Sequence, residues 1–157
     1  ISRGGRGPRR ARGGILRFWD ASALVPLYVA EVHSERASRE AGLDGEIVVW
    51  WATRVECASA IARLRRVGEL TTEAEGRALA SFNRLVGLWH EIEPTDRVRS
   101  LATILLRRHP LRAADALQLA AAVDWSGSDP TGRAFVTFDA RLAEAAALEG
   151  FTVIGGA

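Results

Sequence analysis

The feature that most constrains the fold is the alternation of short apolar runs with longer helical patterns. Five runs rich in β-branched and aromatic residues have strand character, at residues 15–19, 46–50, 89–92, 134–137 and 151–154. The stretches between them have the apolar spacing and the terminating Gly and Pro residues of helices. Strands that alternate with helices are typical of βα units around a parallel sheet. We therefore predict an α/β fold, with a mostly parallel central sheet of about five strands flanked by helices.

Three helix starts illustrate how these elements are predicted. Residues 22–31 predict a helix that Pro26 makes irregular. The pattern Thr53-Arg54-Val55-Glu56 predicts a capping box, with a helix that ends at Gly68. The stretch from Thr72 to Glu75 predicts a second capping box of the same kind.

The length and the distribution of charge favour one folded domain behind a basic tail. A chain of 157 residues is long enough for one compact core. Residues 1–14 hold five arginines, no acid and little apolar surface, so we predict that they form a disordered tail and that residues 15–157 form the domain. No apolar stretch is long enough to span a membrane. The single cysteine, Cys57, cannot form an internal disulfide, and we expect a cytoplasmic protein.

The absence of lysine excludes several chemistries. All 21 basic residues are arginines. A Walker A phosphate loop and a Schiff-base enzyme each require a lysine. The histidines have no metal-binding spacing, and no nucleophile elbow is present. Acidic residues are therefore the main candidates for a reactive site.

Four acidic residues lie where helices follow strands. Asp20 follows the first strand directly, and Asp139 lies two residues after the fourth. Glu56 begins the helix after the second strand, and Asp115 begins the helix before the fourth. The carboxyl ends of parallel strands share one edge of a sheet, so these side chains can converge there. Each acid also has a structural explanation, because Asp20 and Asp139 are suitable N-caps and Glu56 fits a capping box.

Asp115 is the acid that helix capping explains least well. It lies in the apolar stretch A-A-D-A-L-Q-L-A-A-A, which predicts a mostly buried helix. Burying an unpaired carboxylate costs several kcal/mol or forces its protonation. A cluster made only of carboxylates favours the hard cations Mg²⁺ and Mn²⁺ over zinc. Asp124 lies about half a turn round the helix from Asp115, so we leave it outside the cluster.

Four ordered motifs resemble the PIN domain family, and within it the VapC-type toxins of bacterial toxin–antitoxin pairs. The motifs are F-W-D-A-S-A-L-V-P-L-Y, T-R-V-E-C-A-S-A-I, L-R-A-A-D-A-L-Q-L-A-A-A and F-V-T-F-D-A-R-L. Together they extend over nearly all of the predicted domain. The resemblance implies a three-layer α/β/α fold and a metal-dependent endoribonuclease. It also implies a small VapB-like antitoxin as partner, and a homodimer.

The same resemblance assigns roles to individual residues. Asp20, Asp115 and Asp139 would hold Mg²⁺ or Mn²⁺ directly or through water, and Glu56 would bind the ion or orient a water molecule. Ser22 and Thr137 match small hydroxyl positions that support the acids. Arginines close to the acids in sequence are candidate contacts for the RNA backbone: Arg17, Arg54, Arg112 and Arg141. The alternative is a catalytically inactive PIN-like module that binds protein or RNA, in which the acids only cap helices.

Overall fold

The computed structural model describes residues 16–43 and 46–156. The predicted tail at residues 1–14 lies outside the described residues, as does Ile15, where the first strand was expected to begin. The described chain forms one five-stranded sheet, in the order β3-β2-β1-β4-β5. Every neighbouring pair of strands is parallel. The strands are β1 (Arg17–Trp19), β2 (Ile47–Trp50), β3 (Trp89–Ile92), β4 (Ala134–Thr137) and β5 (Thr152–Gly155).

Seven helices connect the described strands. They are α1 (Ala21–Leu24), α2 (Ser34–Ala41), α3 (Thr53–Arg66), α4 (Thr72–Val86), α5 (Asp96–Arg108), α6 (Ala113–Trp125) and α7 (Ala140–Leu148). The irregular helix predicted at residues 22–31 is instead the single turn α1 followed by a 3₁₀ turn, Val25–Leu27. Pro26 lies within that turn, where it lacks the N–H that a continued α-helix needs. No described helix combines the length and apolar character that crossing a bilayer requires.

The sheet is covered by helices on both faces, which confirms the predicted three-layer α/β/α fold. Alternate strand residues point to opposite faces. Phe18, Trp50 and Phe135 pack on one face with side chains of α5, α6 and α7. Trp19 and Val136 pack on the other face with side chains of α1, α3 and α4. Both faces of β1 and β2 are therefore buried.

The connections that follow the neighbouring strands β1 and β4 leave the sheet on opposite faces. Helix α1, which follows β1, packs in the same cluster as Trp19 and Val136. Helix α7, which follows β4, packs in the cluster of Phe18 and Phe135. The carboxyl ends of β1 and β4 thus form a topological switch point, where a crevice opens in parallel α/β sheets. Asp20 and Asp139 follow these two strands.

The predicted capping box at Thr53 is wrong. Thr53 is already inside α3, whose N-cap is Ala52 and has no side-chain cap. The Thr53 hydroxyl accepts a hydrogen bond from Gln118 on α6 instead, because α6 packs close enough to offer a buried donor. The second predicted capping box, at Thr72, is also wrong: the N-cap of α4 is Thr71, one residue earlier, and its hydroxyl accepts from Ala74 N, whose side chain cannot complete a box.

A glycine fixes the end of β4. Gly155 has φ +107°, and a Cβ there would lie 1.8 Å from the carbonyl oxygen of Thr137. Gly156 N donates to the same oxygen at 2.8 Å. This close approach holds Thr137 in position immediately before Asp139.

Candidate active site

Asp20 is a buried carboxylate at the end of the central strand β1. It is 5% exposed and is the N-cap of α1. Its Oδ2 accepts from Ser22 N at 3.1 Å, and its Oδ1 accepts from the Ser22 hydroxyl at 2.8 Å. Burial raises the pKa of Asp20 to about 7, although the hydrogen bonds from Ser22 oppose the rise. The negative charge of Glu56 adds to this increase.

Two hydroxyls connect Asp20 with Asp139. Ser22 Oγ, which donates to Asp20, accepts from the backbone N–H of Phe138 at 2.9 Å. It also lies 3.2 Å from Thr137 Oγ1, which accepts from Asp139 N at 3.1 Å. Ser22 and Thr137 are the two hydroxyl residues that the sequence placed beside the acids. They hold the ends of β1 and β4 in a fixed relation to each other.

Glu56 is positioned by a residue that the sequence analysis missed. Gln118 on α6 is 1% exposed, and its Nε2 donates to Glu56 Oε2 and to Thr53 Oγ1, each at 3.1 Å. Burial raises the pKa of Glu56, the hydrogen bond from Gln118 lowers it, and the charge of Asp115 raises it. A lone amide in the apolar stretch A-L-Q-L-A-A-A was the available signal. Such a side chain is buried only with partners.

Asp115 and Asp139 line an open cleft at the other side of the crevice. The cleft is also lined by Arg112 and Arg141. Asp115 Oδ2 accepts from Arg112 N at 3.4 Å, and Asp139 Oδ1 accepts from Leu142 N at 2.9 Å. Burial raises the pKa of Asp115, and the charge of Asp139 raises it further. The backbone N–H of Arg112 and the positive charges of Arg112 and Arg141 act in the opposite direction.

The four predicted acids form one electrostatically connected row. The charge of Glu56 raises the pKa of Asp20, the charge of Asp115 raises the pKa of Glu56, and the charge of Asp139 raises the pKa of Asp115. We call these four residues the acid row. Three of them have a raised pKa, mainly because burial disfavours the charged carboxylate, and the neighbouring negative charges add to the increase.

The arginines predicted to contact RNA lie in three different environments. Arg112 and Arg141 are exposed beside the acid row. Arg54 is exposed on α3, where its Nε donates to Glu91. Arg17 is 6% exposed, and its Nη1 donates to Glu40 at 2.7 Å. Arg17 therefore contacts α2, and we keep only the exposed arginines as candidate RNA contacts.

The acid row has the ligand chemistry that a divalent cation requires, but its side chains are not placed close enough together to bind one. Four carboxylates, three of them with a raised pKa, are the donor set and the charge excess that Mg²⁺ or Mn²⁺ would relieve. Within residues 16–43 and 46–156, however, no three acidic, histidine or cysteine side chains lie close enough together to hold a metal ion. The Asp139 carboxylate accepts from its own helix, and Glu56 accepts from Gln118. Binding would require these side chains to turn toward one another.

Asp124 and Cys57 lie outside the acid row. Asp124 Oδ1 accepts from Arg97 Nε at 2.6 Å, which is consistent with leaving it out of the cluster. Cys57 is fully buried, and burial raises its thiol pKa to about 12. This thiol is packed in the core beside α1, so it is not a candidate nucleophile.

Comparison with known proteins relates this architecture to one family. The family model described as "PIN domain" matches residues 17–148. No curated protein matches the chain. The chain is similar in structure to PAE2754 from Pyrobaculum aerophilum, with a TM-score of 0.62 and 18% identity over 90% of this chain and 92% of that one.

Two further similar structures come from toxin–antitoxin systems. One is VapBC-5 from Mycobacterium tuberculosis, with a TM-score of 0.58 and 14% identity over 89% of this chain and 98% of that chain. The other is a toxin–antitoxin complex from Klebsiella pneumoniae, with a TM-score of 0.56 and 13% identity over 80% and 88% of the two chains. At these identities the similarity shows a shared fold.

Proposed function

This chain belongs to the PIN domain family, and we propose that it is a metal-dependent endoribonuclease, the toxin of a type II toxin–antitoxin pair. The observation that supports this most is the acid row at the switch point of the sheet. Burial and mutual repulsion raise the pKa of Asp20, Glu56 and Asp115 there. A site that concentrates negative charge in this way is typical of a centre that functions with a bound cation.

We assign each residue of the site a separate role. Asp20, Asp115 and Asp139 would hold Mg²⁺ or Mn²⁺ directly or through water, and Glu56 would bind the ion or orient a water molecule. When bound, the ion would lower the pKa of a water molecule and neutralise charge that develops on the phosphodiester. The hydroxyls of Ser22 and Thr137 fix the positions of Asp20 and Asp139 relative to each other. Hydrolysis by water leaves a 5′-phosphate and a 3′-hydroxyl.

The exposed arginines offset the repulsion between the acid row and an RNA backbone. Arg112 and Arg141 line the same cleft as Asp115 and Asp139. Guanidinium groups bind phosphate oxygens in a bidentate manner. We propose that these two arginines position the phosphates beside the scissile bond. Arg54 lies at the start of α3 and already pairs with Glu91.

The proposed partners follow from the kind of protein to which this chain is similar. Two of the similar structures are toxin–antitoxin proteins by their own descriptions. We propose a small VapB-like antitoxin that covers the crevice, and a homodimer of this chain in the cytoplasm.

One observation favours a catalytically inactive PIN-like binding module as a second candidate. No described group of three potential ligands is close enough to hold a metal ion, and both Asp20 and Asp139 cap helices. In that case the acids would stabilise the fold as helix caps and would have no catalytic role. Metal binding separates the two candidates.

The test measures RNA cleavage and metal binding in wild type, Asp20→Asn and Asp124→Asn. We expect wild type to cleave RNA with Mn²⁺, to stop when EDTA is added, and to melt at a higher temperature with Mn²⁺. Asp20→Asn should lose cleavage and most of the Mn²⁺-dependent rise in melting temperature. Asp124→Asn is the matched control, since it removes a carboxylate outside the acid row and should keep both properties. Cleavage that survives both EDTA and Asp20→Asn would exclude the metal-dependent mechanism.

A further inference from the structure

A second pocket opens beside the acid row, on the side away from Arg112 and Arg141. Ser22 and Glu56 lie in its wall, so it is continuous with the site described above. His33, Arg63, Phe138 and the acid Glu31 supply its other aromatic and charged side chains. The crevice thus has an arginine-lined cleft on one side and an aromatic pocket on the other.

His33 and Phe138 form a flat aromatic pair in this pocket. Their ring centroids are 4.5 Å apart, and the ring planes differ by 16°. Both residues are partly exposed, so a planar group that enters the pocket can continue the stack. Arg36 lies 5.8 Å from the centroid of the Phe138 ring and adds a cation beside the pair. Nucleobases stack on such aromatic surfaces, whatever the base.

The aromatic pair is held in a fixed position relative to Asp20. The backbone N–H of Phe138 donates to Ser22 Oγ at 2.9 Å. The same hydroxyl donates to Asp20 Oδ1 at 2.8 Å. A single side chain therefore anchors both the carboxylate and the backbone of the stacking residue. A ligand that stacks here has a defined offset from the acid row.

We propose that this pocket is a nucleobase subsite, in which an unpaired base of the RNA stacks on the His33–Phe138 pair next to the acid row. The inference rests on the proposed function and extends it to the class of substrate. The pocket combines an aromatic ring face with a nearby arginine, which suits the base and the phosphate of one nucleotide. The base can stack on His33 while Arg63 faces a phosphate. A base can enter a pocket only when it leaves its helical stack, so the substrate is single-stranded RNA or a loop.

His33 is the residue to change, because its half-buried side chain contributes to the described contacts mainly through the stack on Phe138. It is the N-cap of α2, but its side chain makes no cap hydrogen bond. Phe138 in contrast packs against the core cluster that contains Trp19 and Leu24, and its removal would disturb the fold. The variants are His33→Ala, which removes the ring, and His33→Tyr, which keeps an aromatic face. His90→Ala is the matched control, since His90 is an exposed histidine on β3 that pairs with Glu46.

The experiment measures binding of fluorescein-labelled oligoadenylate, about ten nucleotides long, by anisotropy. All variants are made in a parent protein that carries Asp139→Asn, so that cleavage does not interfere with the binding measurement. We expect His33→Ala to bind about ten-fold more weakly than its parent, and His33→Tyr to bind within about three-fold of it. An abasic ribose-phosphate oligomer of the same length should bind equally to the parent and to His33→Ala. His90→Ala should bind oligoadenylate as the parent does.

Two results would overturn the subsite. One is unchanged oligoadenylate affinity in His33→Ala, which would leave the pocket as a surface for a protein partner. The other is an equal loss of affinity for the abasic oligomer, which would mean that His33 contacts the backbone. Neither result depends on catalysis. Wild type that cleaves RNA while His33→Ala binds normally would therefore refute the subsite and leave the nuclease function standing.

Discussion

The two halves of the acid row are built in different ways. Asp20 and Glu56 form the inner half, where each carboxylate is held by a side chain, Ser22 for Asp20 and Gln118 for Glu56. Asp115 and Asp139 form the outer half, where each carboxylate accepts from a backbone N–H at its own helix start. In the inner half Asp20 is buried and Glu56 is half-buried at the wall of the second pocket, whereas the outer half faces a cleft with two arginines.

This difference suggests separate roles: the inner half fixes the positions of the acids, and the outer half contacts the substrate. The inner acids are tied to distant parts of the chain, because Gln118 on α6 holds Glu56 and because Ser22, which holds Asp20, also accepts from Phe138 N. Their burial raises their pKa and therefore costs stability while no cation is bound. The outer acids use local hydrogen bonds that any helix start provides, and they lie beside the cations that an RNA backbone needs. Substitutions in the inner half should therefore change the stability of the protein. Substitutions around the outer half should change how it binds RNA.

The largest expected effect is a gain in stability for Asp20→Asn without metal. The folded-state pKa of about 7 lies above the value of about 3.9 in an unfolded chain. The stabilisation by the protonated carboxyl is therefore fully present below about pH 4, and wild type loses it progressively as the pH rises from about 4 to about 7. A rise of this size corresponds to about 4 kcal/mol, and replacing one acceptor oxygen by an amide costs about 1–2 kcal/mol.

We expect Asp20→Asn to be more stable than wild type by about 2–3 kcal/mol at pH 8 in EDTA, and about equal to it at pH 5. Urea unfolding at both pH values measures this. Asp115→Asn should show a smaller gain, because Asp115 is less buried and has arginines nearby. A difference between Asp20→Asn and wild type that does not vary with pH would show that Asp20 is not held with a raised pKa.

A smaller effect is expected for Gln118→Leu. The substitution removes the donor to Glu56 Oε2 and to Thr53 Oγ1, both inside the fold. It also removes Gln118 Oε1, a buried oxygen that accepts from no described group. We expect a net loss of about 1–2 kcal/mol in the free energy of unfolding, measured with urea.

Thr53→Val provides the control for that interpretation. If Gln118 acts through its bond to Thr53, the two substitutions together should cost less than the sum of the single effects. Fully additive losses would mean that the two side chains are not coupled.

The smallest effect on stability is expected at the outer half, for Arg141→Gln. Arg141 is exposed, so the free energy of unfolding should change by less than about 0.5 kcal/mol. RNA binding should weaken, and the slope of log affinity against log salt should fall by about 1 if the arginine contacts one phosphate. Arg107→Gln, at an exposed arginine of α5, should leave that slope unchanged. Equal slopes for both variants would remove Arg141 from the RNA-binding surface.

The elements of the fold were predictable because each has a local pattern. The strands β3 and β4 match the predicted residues, and β5 is displaced by one residue. The exceptions arise where packing competes with a local preference. Thr53 looked like a helix cap, but it lies beside Gln118 and forms a buried hydrogen bond across two helices. Arg17 looked like an RNA contact, because sequence proximity to Asp20 does not reveal that β1 buries it against Glu40.

The sequence by itself determined the parallel α/β architecture and the four acids that follow its strands and begin its helices, because hydrophobic period and the position of charges are local properties. Only the tertiary structure decided that Gln118 holds Glu56, that one hydroxyl of Ser22 joins Asp20 to Phe138, and that His33 stacks on that ring. These contacts join residues from separate elements, up to 116 positions apart. Such pairs form only when the sheet brings its strand ends together, so no local pattern encodes them.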